Sequence, residues 1–364
     1  MKKHRIGAVI AVAGMSSRMK TFKPLMVIDN KTIIETTVEN YKRAGVDEIF
    51  LVTGYRGDEI EEVFKDGEIH FIRNTNYDST HMFDSIVMGL RQIKDKVDYV
   101  FLSPGDSPFV QHFTLKGMIE EIKNSKIKLV QPSYGGENGH PLLLKKDAFS
   151  IVLEHDGTMG LQGVINKMGS ECKNTSFIDP GIILDADVNL DYIELLAFHD
   201  KKDCPDIDIC RKIQDYFHMT DAVKLHSDKV AQKALGICEH LSGEGIFLDK
   251  KIIVAASLLH DIAKGRIHHE KVGAKWLEDM GYKKIDHIVS EHMELEGIPS
   301  IIIDITEKEV VFLSDKLVKE DKFVTLDERF SFKENRYKND ELALKAVKRK
   351  KEQAEILYKM IYKY

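Results

Sequence analysis

The feature that most restricts the fold is an alternation in the first half of the chain, where short, nearly all-apolar runs are separated by amphipathic stretches. The runs lie at residues 6–13, 48–55, 68–73, 99–102, 128–132 and 141–145, and helical spacing of apolar residues marks 32–44, 82–92 and 114–124 between them. A strand that is apolar on both sides has to be covered on both sides. Strands alternating with helices therefore predict an α/β domain with a mostly parallel, Rossmann-like sheet between two helical layers.

Near Asp203 the pattern changes. Strand-like runs nearly vanish, and helical patterns follow at 227–241, 251–263, 269–280, 285–292, 307–319 and 341–363. A chain of 364 residues is longer than most single domains. The segment Asp203-Cys204-Pro205-Asp206 offers a turn and a proline able to open a helix. The expected organisation is an α/β domain over 1–202 and an all-α domain over 203–364.

Hydrophobic residues at 43% and charged residues at 31% suit a folded chain rather than a disordered one. The net charge of -6 gives no electrostatic reason to expect nucleic acid, and the run Lys348-Arg349-Lys350-Lys351 reads as a solvated helix face. Four cysteines without CxxC spacing point to a reducing compartment. The apolar run after the basic N-terminus is too short for a secretory core, and none approaches the roughly 20 residues of a membrane span. A cytoplasmic protein without a membrane or nucleic-acid partner is expected; a homo-oligomer is compatible with this.

The first apolar run ends in Ala13-Gly14-Met15-Ser16-Ser17-Arg18-Met19, followed by Lys23-Pro24-Leu25. A glycine at a strand's end allows a sharp turn whose amides can face phosphate oxygens, and Arg18 and Lys23 would add the charge a triphosphate needs. The same residues also suit an ordinary βα loop. Asp106, in Ser103-Pro104-Gly105-Asp106-Ser107-Pro108, follows another run. There it can hold Mg²⁺ against phosphates, or simply make a turn before proline. Gly139-His140-Pro141 precedes a further run, and Asp185-Ala186-Asp187 sets two carboxylates at i, i+2.

In this order the pieces resemble the molybdenum cofactor cytidylyl- and guanylyltransferases, over about residues 5–198. VAGMSSRM with Lys23 matches the signature loop, Asp106 the metal-binding Asp, Gly139 to Pro141 the GHP segment, and 185–191 the acidic tail. His155-Asp156-Gly157-Thr158-Met159-Gly160 matches a further loop. Val12 and Val188-Asn189 depart from the family pattern. The resemblance implies transfer of a nucleoside monophosphate from a nucleoside triphosphate to a phosphorylated acceptor such as molybdopterin, with release of pyrophosphate. It assigns Mg²⁺ to Asp106 and Asp187, and the nucleotide to Ala13, Gly14, Ser16, Ser17, Arg18, Lys23 and Gly105. Arg18, Lys23 and Asp106 carry the catalysis. Members with Ala-Gly at the loop use CTP and those with Gly-Gly use GTP, so Ala13-Gly14 points to CTP.

In the second half, ligand-type residues sit on otherwise apolar segments: His226 at the start of a helix, the pair His260-Asp261, His269, His292 and Asp315. One buried histidine is usually a core residue, but six such groups are hard to explain that way. Imidazole and carboxylate suit Mn²⁺, Fe or Co²⁺, and the absence of cysteine ligands argues against structural zinc. Together with HDIAKG and FLSDKL, these residues resemble the HD superfamily over about 220–325. The resemblance implies one metal held by His226, His260, Asp261 and Asp315, and a second that adds His269 and His292. Such ions bind phosphate and lower the pKa of water, giving phosphoester hydrolysis. Lys264, three residues after the pair, either reaches a phosphate oxygen or faces solvent. His199, His218, His240 and His287 match no motif position. Two other readings stand beside this one: an HD domain that binds nucleotide to regulate the transferase, and a sugar- or polyol-phosphate acceptor.

Overall fold

The structure is a computed structural model, and it describes residues 4–15, 21–65, 67–123, 126–185, 189–199 and 202–363. Its chain contacts divide it into two compact units, Met1–Asp200 and Lys201–Tyr364.

The first unit runs β1 (Ile6–Val12), β2 (Val27–Ile28), β3 (Lys31–Thr32), α1 (Ile33–Arg43), β4 (Glu48–Thr53), α2 (Gly57–Val63), β5 (His70–Arg73) and α3 (Met82–Ile93). It continues through β6 (Tyr99–Pro104), α4 (His112–Lys123), β7 (Leu129–Tyr134), β8 (Glu137–Asn138) and β9 (Leu142–Lys145). It closes with α5 (Phe149–Leu153), α6 (Gly160–Met168), β10 (Cys172–Ser176) and α7 (Asn189–His199). The main sheet has the order β10-β7-β9-β6-β1-β4-β5, with β8 hairpinned onto β7. Strand β9 is antiparallel to β6 and β7, whereas β1 is parallel to both β4 and β6.

Alternation along β1 builds both faces of the sheet. Ile6, Ala8, Ile10 and Val12 join a core with Ile34, Val38 and Tyr41 of α1 and Leu115, Met118 and Ile122 of α4. Val9 points the other way, into a core with Ile86, Leu90 and Ile93 of α3, Val152 of α5 and Val164 of α6. Helix α1 starts where the sequence allows: Thr32 and Glu35 form a reciprocal capping box.

The second unit contains α8 (Ile207–Tyr216), α9 (Asp221–Gly243), α10 (Lys250–Leu259), α11 (His269–Asp279), α12 (Lys283–Glu291) and α13 (Glu307–Lys316). The hairpin β11 (Val318–Lys319) and β12 (Lys322–Phe323), α14 (Leu326–Arg336) and α15 (Glu341–Tyr362) complete it. Asp206, Asp249 and Asp340 cap α8, α10 and α15, and capping boxes at Thr306/Glu309 and Thr325/Glu328 open α13 and α14. The core packs Ala234, Ile237 and Leu241 of α9 against Phe312 and Leu313 of α13 and Leu357 and Ile361 of α15. No described helix is long and apolar enough to cross a membrane.

Three local expectations are corrected here. The helix predicted over 251–263 stops at Leu259, so His260, Asp261 and Lys264 lie in turns. Ile262 and Ala263 are buried all the same, which is why the apolar spacing carried on past the helix. The helix predicted to 319 ends at Lys316 and gives way to a β-hairpin, so the unit is largely rather than wholly helical. His226 sits inside α9, one and a half turns from its start, not at a helix start.

Candidate functional site

In the first unit the strand order turns at β1, with β4 on one side and β6 on the other. In an open α/β sheet the crevice beyond the strands' carboxyl ends at such a point is where ligands settle. Ala13 and Gly14 leave β1 there, and Gly105 and Asp106 leave β6. The two exits are tightly apposed. The Gly105 amide donates to the Ala11 carbonyl at 3.0 Å, and a Cβ on Gly105 would fall 2.0 Å from Val12 Cγ1. Gly54 at the end of β4 is as tightly placed, since a Cβ there would lie 2.7 Å from the Ala13 carbonyl oxygen.

An open pocket of about 200 Å³ occupies this crevice, lined by Ala13, Gly14, Lys23, Gly105 and Asp106 and by Asn74, Tyr77 and Ser85. Lys23 opens a short 3-10 turn with Pro24 and is buried, and its Nζ lies 3.2 Å from Asp106 Oδ2. Lysine and carboxylate thus share one wall, the charge pattern of a site for a cation-bound phosphate chain. Ser16, Ser17, Arg18 and Asp187 lie outside the described residues. Asn74 was not foreseen from the sequence. Its amide donates to Thr80 Oγ1 at 2.9 Å and Ser85 Oγ at 3.2 Å, and its carbonyl accepts from the Asn76 amide, shaping the loop that forms the pocket's far lining. The Asn-x-Asn run after β5 was the available signal, an Asx turn.

A second pocket of about 740 Å³ adjoins the first, sharing His81 and Met82 with it. Gln131, Asn138, His140, Asp156 and Gly157 line it. The GHP and HDG segments, separate in sequence, therefore meet in one cavity. Burial pushes the His140 pKa down against the pull of Asp106, and Nδ1 of this imidazole is buried without a partner.

In the second unit all six ligand-type residues converge. His226, His260 and Asp261 form one group whose donor atoms lie within 4.8 Å of one another, and Asp261, His269 and His292 form another. Asp261 belongs to both. Its Oδ1 lies 3.2 Å from His269 Nε2 and 3.7 Å from His292 Nε2, and its Oδ2 lies 3.4 Å from His260 Nε2. Asp315 Oδ1 is 3.1 Å from His226 Nε2 and 3.9 Å from His260 Nε2.

The backbone fixes which nitrogen faces inward. His226 Nδ1 contacts the Glu320 carbonyl at 2.8 Å, His260 Nδ1 that of Ser257 at 2.7 Å, and His292 Nδ1 that of Val289 at 2.7 Å. A carbonyl can only accept, so each Nδ1 carries the proton and each Nε2 presents a lone pair to the centre. Nε2 of His260 and of His292 is buried with no hydrogen-bond partner. Buried lone pairs aimed at shared carboxylates fit a divalent cation, and they are costly otherwise. Burial works against the charge on both Asp261 and His260. The pair nonetheless holds the Asp261 pKa well below and the His260 pKa above the usual range, because without an ion Nε2 takes up a proton that a cation would displace. Asp315 is likewise held low, against burial, by Lys316, His226 and Arg329.

Lys264 stands in a turn rather than on a helix. Its half-exposed side chain pairs with Asp261 Oδ2 at 2.5 Å rather than extending freely to solvent. Of the histidines outside the motif, His287 lies 3.6 Å from Glu291 and His240 contacts the Ile361 carbonyl at 3.0 Å. Two basic residues near the cage, Lys316 and Arg329, were missed because basic residues next to a helix end read as solvated.

Residues 8–172 match the MobA-like NTP transferase domain and residues 223–320 match the HD domain. The chain thus joins a nucleotidyltransferase domain of MobA-like type to an HD domain, two domain types that depend on metal ions. It is similar to the molybdenum cofactor cytidylyltransferase of Escherichia coli (strain K12), 28% identical over 189 residues, which are 52% of this chain and 94% of that protein. The bifunctional protein GlmU of Staphylococcus saprophyticus is 26% identical over 177 residues, and the match spans only 38% of its length. Among solved structures, a nucleotidyl transferase from Methanothermobacter thermautotroptrophicus covers 54% of this chain and 98% of its own, with 24% identity and a TM-score of 0.48.

Proposed function

We propose that the first unit transfers a nucleoside monophosphate, CMP from CTP, to a phosphorylated acceptor such as molybdopterin, and that the second hydrolyses a phosphoester. The division of labour falls at 1–202 and 203–364. An acceptor phosphate oxygen attacks the α-phosphorus, the α–β bridge bond breaks, and pyrophosphate leaves with its electrons. The observation carrying the transferase reading is the Lys23–Asp106 pair at the joint exit of β1 and β6, beside a second cavity. Lys23 neutralises phosphate charge, and Asp106, with Asp187, would hold Mg²⁺, which supplies further neutralisation as charge shifts to the leaving group. Ser16, Ser17 and Arg18 belong to the same phosphate loop in this reading, and the acceptor occupies the cavity of His140 and Asp156. The match to the cytidylyltransferase supports cytidine and molybdopterin.

The hydrolase reading rests on Asp261 serving two ligand groups at once. His226, His260, Asp261 and Asp315 would hold one ion, and Asp261, His269 and His292 a second, of the Mn, Fe or Co kind. Such ions supply charge for phosphate binding and acidify water. The chain's part is to keep each Nε2 deprotonated and aimed, through the carbonyls of Glu320, Ser257 and Val289. Lys264, across Asp261, steadies that carboxylate and lies within reach of a substrate phosphate.

Two measurements test this. Pyrophosphate release is followed with each nucleoside triphosphate, with and without molybdopterin. CTP with molybdopterin is expected to give the highest rate, and equal rates without acceptor would defeat the assignment. Mn²⁺-loaded protein is then offered a panel of nucleotides and phosphoesters, and failure to release phosphate from any of them would leave the HD domain a sensor.

The base preference has its own test. Ala13 is buried, lines the pocket and abuts Gly54. Ala13→Gly removes a methyl there and is expected to lower the CTP/GTP ratio of kcat/KM by about tenfold, the scale of one methylene in a binding pocket. An unchanged ratio places base selection on other residues.

A further inference from the structure

Asp315, one of the two buried carboxylates of the cage, is surrounded by more positive charge than it can neutralise. Lys316 Nζ lies 2.7 Å from Asp315 Oδ2 and donates to the His292 carbonyl at 2.8 Å, with its side chain only 4% exposed. That single lysine balances the carboxylate. Yet Arg329 of α14 also reaches in, its Nη2 3.5 Å from Asp315 Oδ1, while its Nε is buried without a hydrogen-bond partner.

Lys333 follows Arg329 by one helical turn on α14, and the two side chains lie on one face of the helix. Among the described residues Lys333 makes no ion pair within 4.0 Å, although it is half-buried. Burial, and then the charges of Arg329 and Lys316, push its pKa down to about 8. Lys350 adds to the repulsion felt by Lys333. Glu294 lies 3.9 Å from Lys350 and is shared with Arg349. Cations gathered this closely repel one another, and divalent ions in the cage would add to the excess. A cluster of this kind is stabilised by an anion, and a guanidinium with an ammonium one turn away matches a phosphate group.

The geometry points to a phosphate-binding subsite formed by Arg329 and Lys333 on the Asp315 side of the cage. It rests on the hydrolase reading, because it would seat a phosphate of that substrate other than the one placed at the ions. Lys316 positions Asp315 from behind and does not touch the ligand. The subsite favours substrates with at least two phosphates, or a phosphodiester with an additional phosphate, over simple monoesters.

The test uses the full chain, stripped of metal by chelation, titrated calorimetrically with inorganic phosphate at fixed ionic strength. Wild type, Arg329→Gln, Lys333→Gln and the double variant are compared; any phosphate held by the first unit contributes equally to all four. The double variant is expected to bind phosphate at least tenfold more weakly at this site, and Lys333→Gln about threefold more weakly. Unchanged phosphate affinity in the double variant, with native melting, overturns the subsite, as does a wild type that shows no such binding. If Arg329→Gln fails to fold, Lys333→Gln alone decides, since its ammonium anchors no carboxylate. The two readings separate cleanly. Phosphate binding lost in the variants while wild type turns over no phosphoester keeps the subsite and removes the hydrolase. Turnover with unchanged phosphate affinity does the reverse.

Discussion

Replacing Asp106 by alanine is expected to lower pyrophosphate release from CTP by about 10³-fold, with the far-ultraviolet spectrum unchanged. The size follows from what the carboxylate does. Removing one preorganised electrostatic contact to a developing charge costs on the order of 10²–10³-fold, and a ligand to the neutralising cation sits at the upper end. The fold should survive, because Asp106 lies on a loop after β6, with its side chain 20% exposed, and not in either face of the core. Its partner Lys23 is the complication, being buried against it at 3.2 Å. Asp106→Asn therefore serves as the companion variant. The amide oxygen can still accept from Lys23, but the negative charge is gone. A loss of similar size in both variants assigns the effect to charge, whereas loss in the alanine alone assigns it to loop packing. Undiminished release in both would move the cation to another carboxylate.

The sheet was largely legible because its central strands β1, β4, β6 and β9 are buried on both faces, and such burial shows as runs that cannot be mistaken for surface. Strand β10 was not. Its sequence Cys172-Lys173-Asn174-Thr175-Ser176 is polar, and it sits at the sheet's edge with its residues exposed or half-buried. Edge strands gain their stability from one neighbour's hydrogen bonds rather than from burial, so composition does not betray them. The HD cage was legible for the opposite reason. Imidazole and carboxylate on apolar segments are expensive unless paired, and so they stand out. Lys316 and Arg329 stayed hidden because a lysine or arginine is common on a helix surface. Only the folded chain shows Lys316 buried, and Arg329 mostly covered, beside Asp315. Lys264 shows the same limit from the other side. The spacing put it one helical turn after the pair, whereas a turn after α10, not a helix, brings its side chain against Asp261.

The second large effect is expected in metal content. Desalted protein loaded with Mn²⁺ should retain two ions in its helical unit by elemental analysis. His269→Ala should keep one, and His260→Ala with Asp261→Ala should keep none. The grading follows from connectivity, since His269 belongs to one ligand group while Asp261 belongs to both. A cage in which every residue merely packed the core would show no such step. The same proteins give a readout independent of metal counting. An ion that binds only the folded state stabilises it by about 2.7 kcal/mol at a free concentration one hundred times its Kd. Wild type should therefore melt several degrees higher with Mn²⁺ than after chelation, while the double variant melts alike in both. The double variant also loses the buried charge of Asp261 and the buried lone pair of His260 together. It leaves one buried group fewer facing an absent carboxylate than Asp261→Ala alone does, since His260 goes with its partner. Full retention of both ions in the double variant would mean that the cage seen here is not where metal binds.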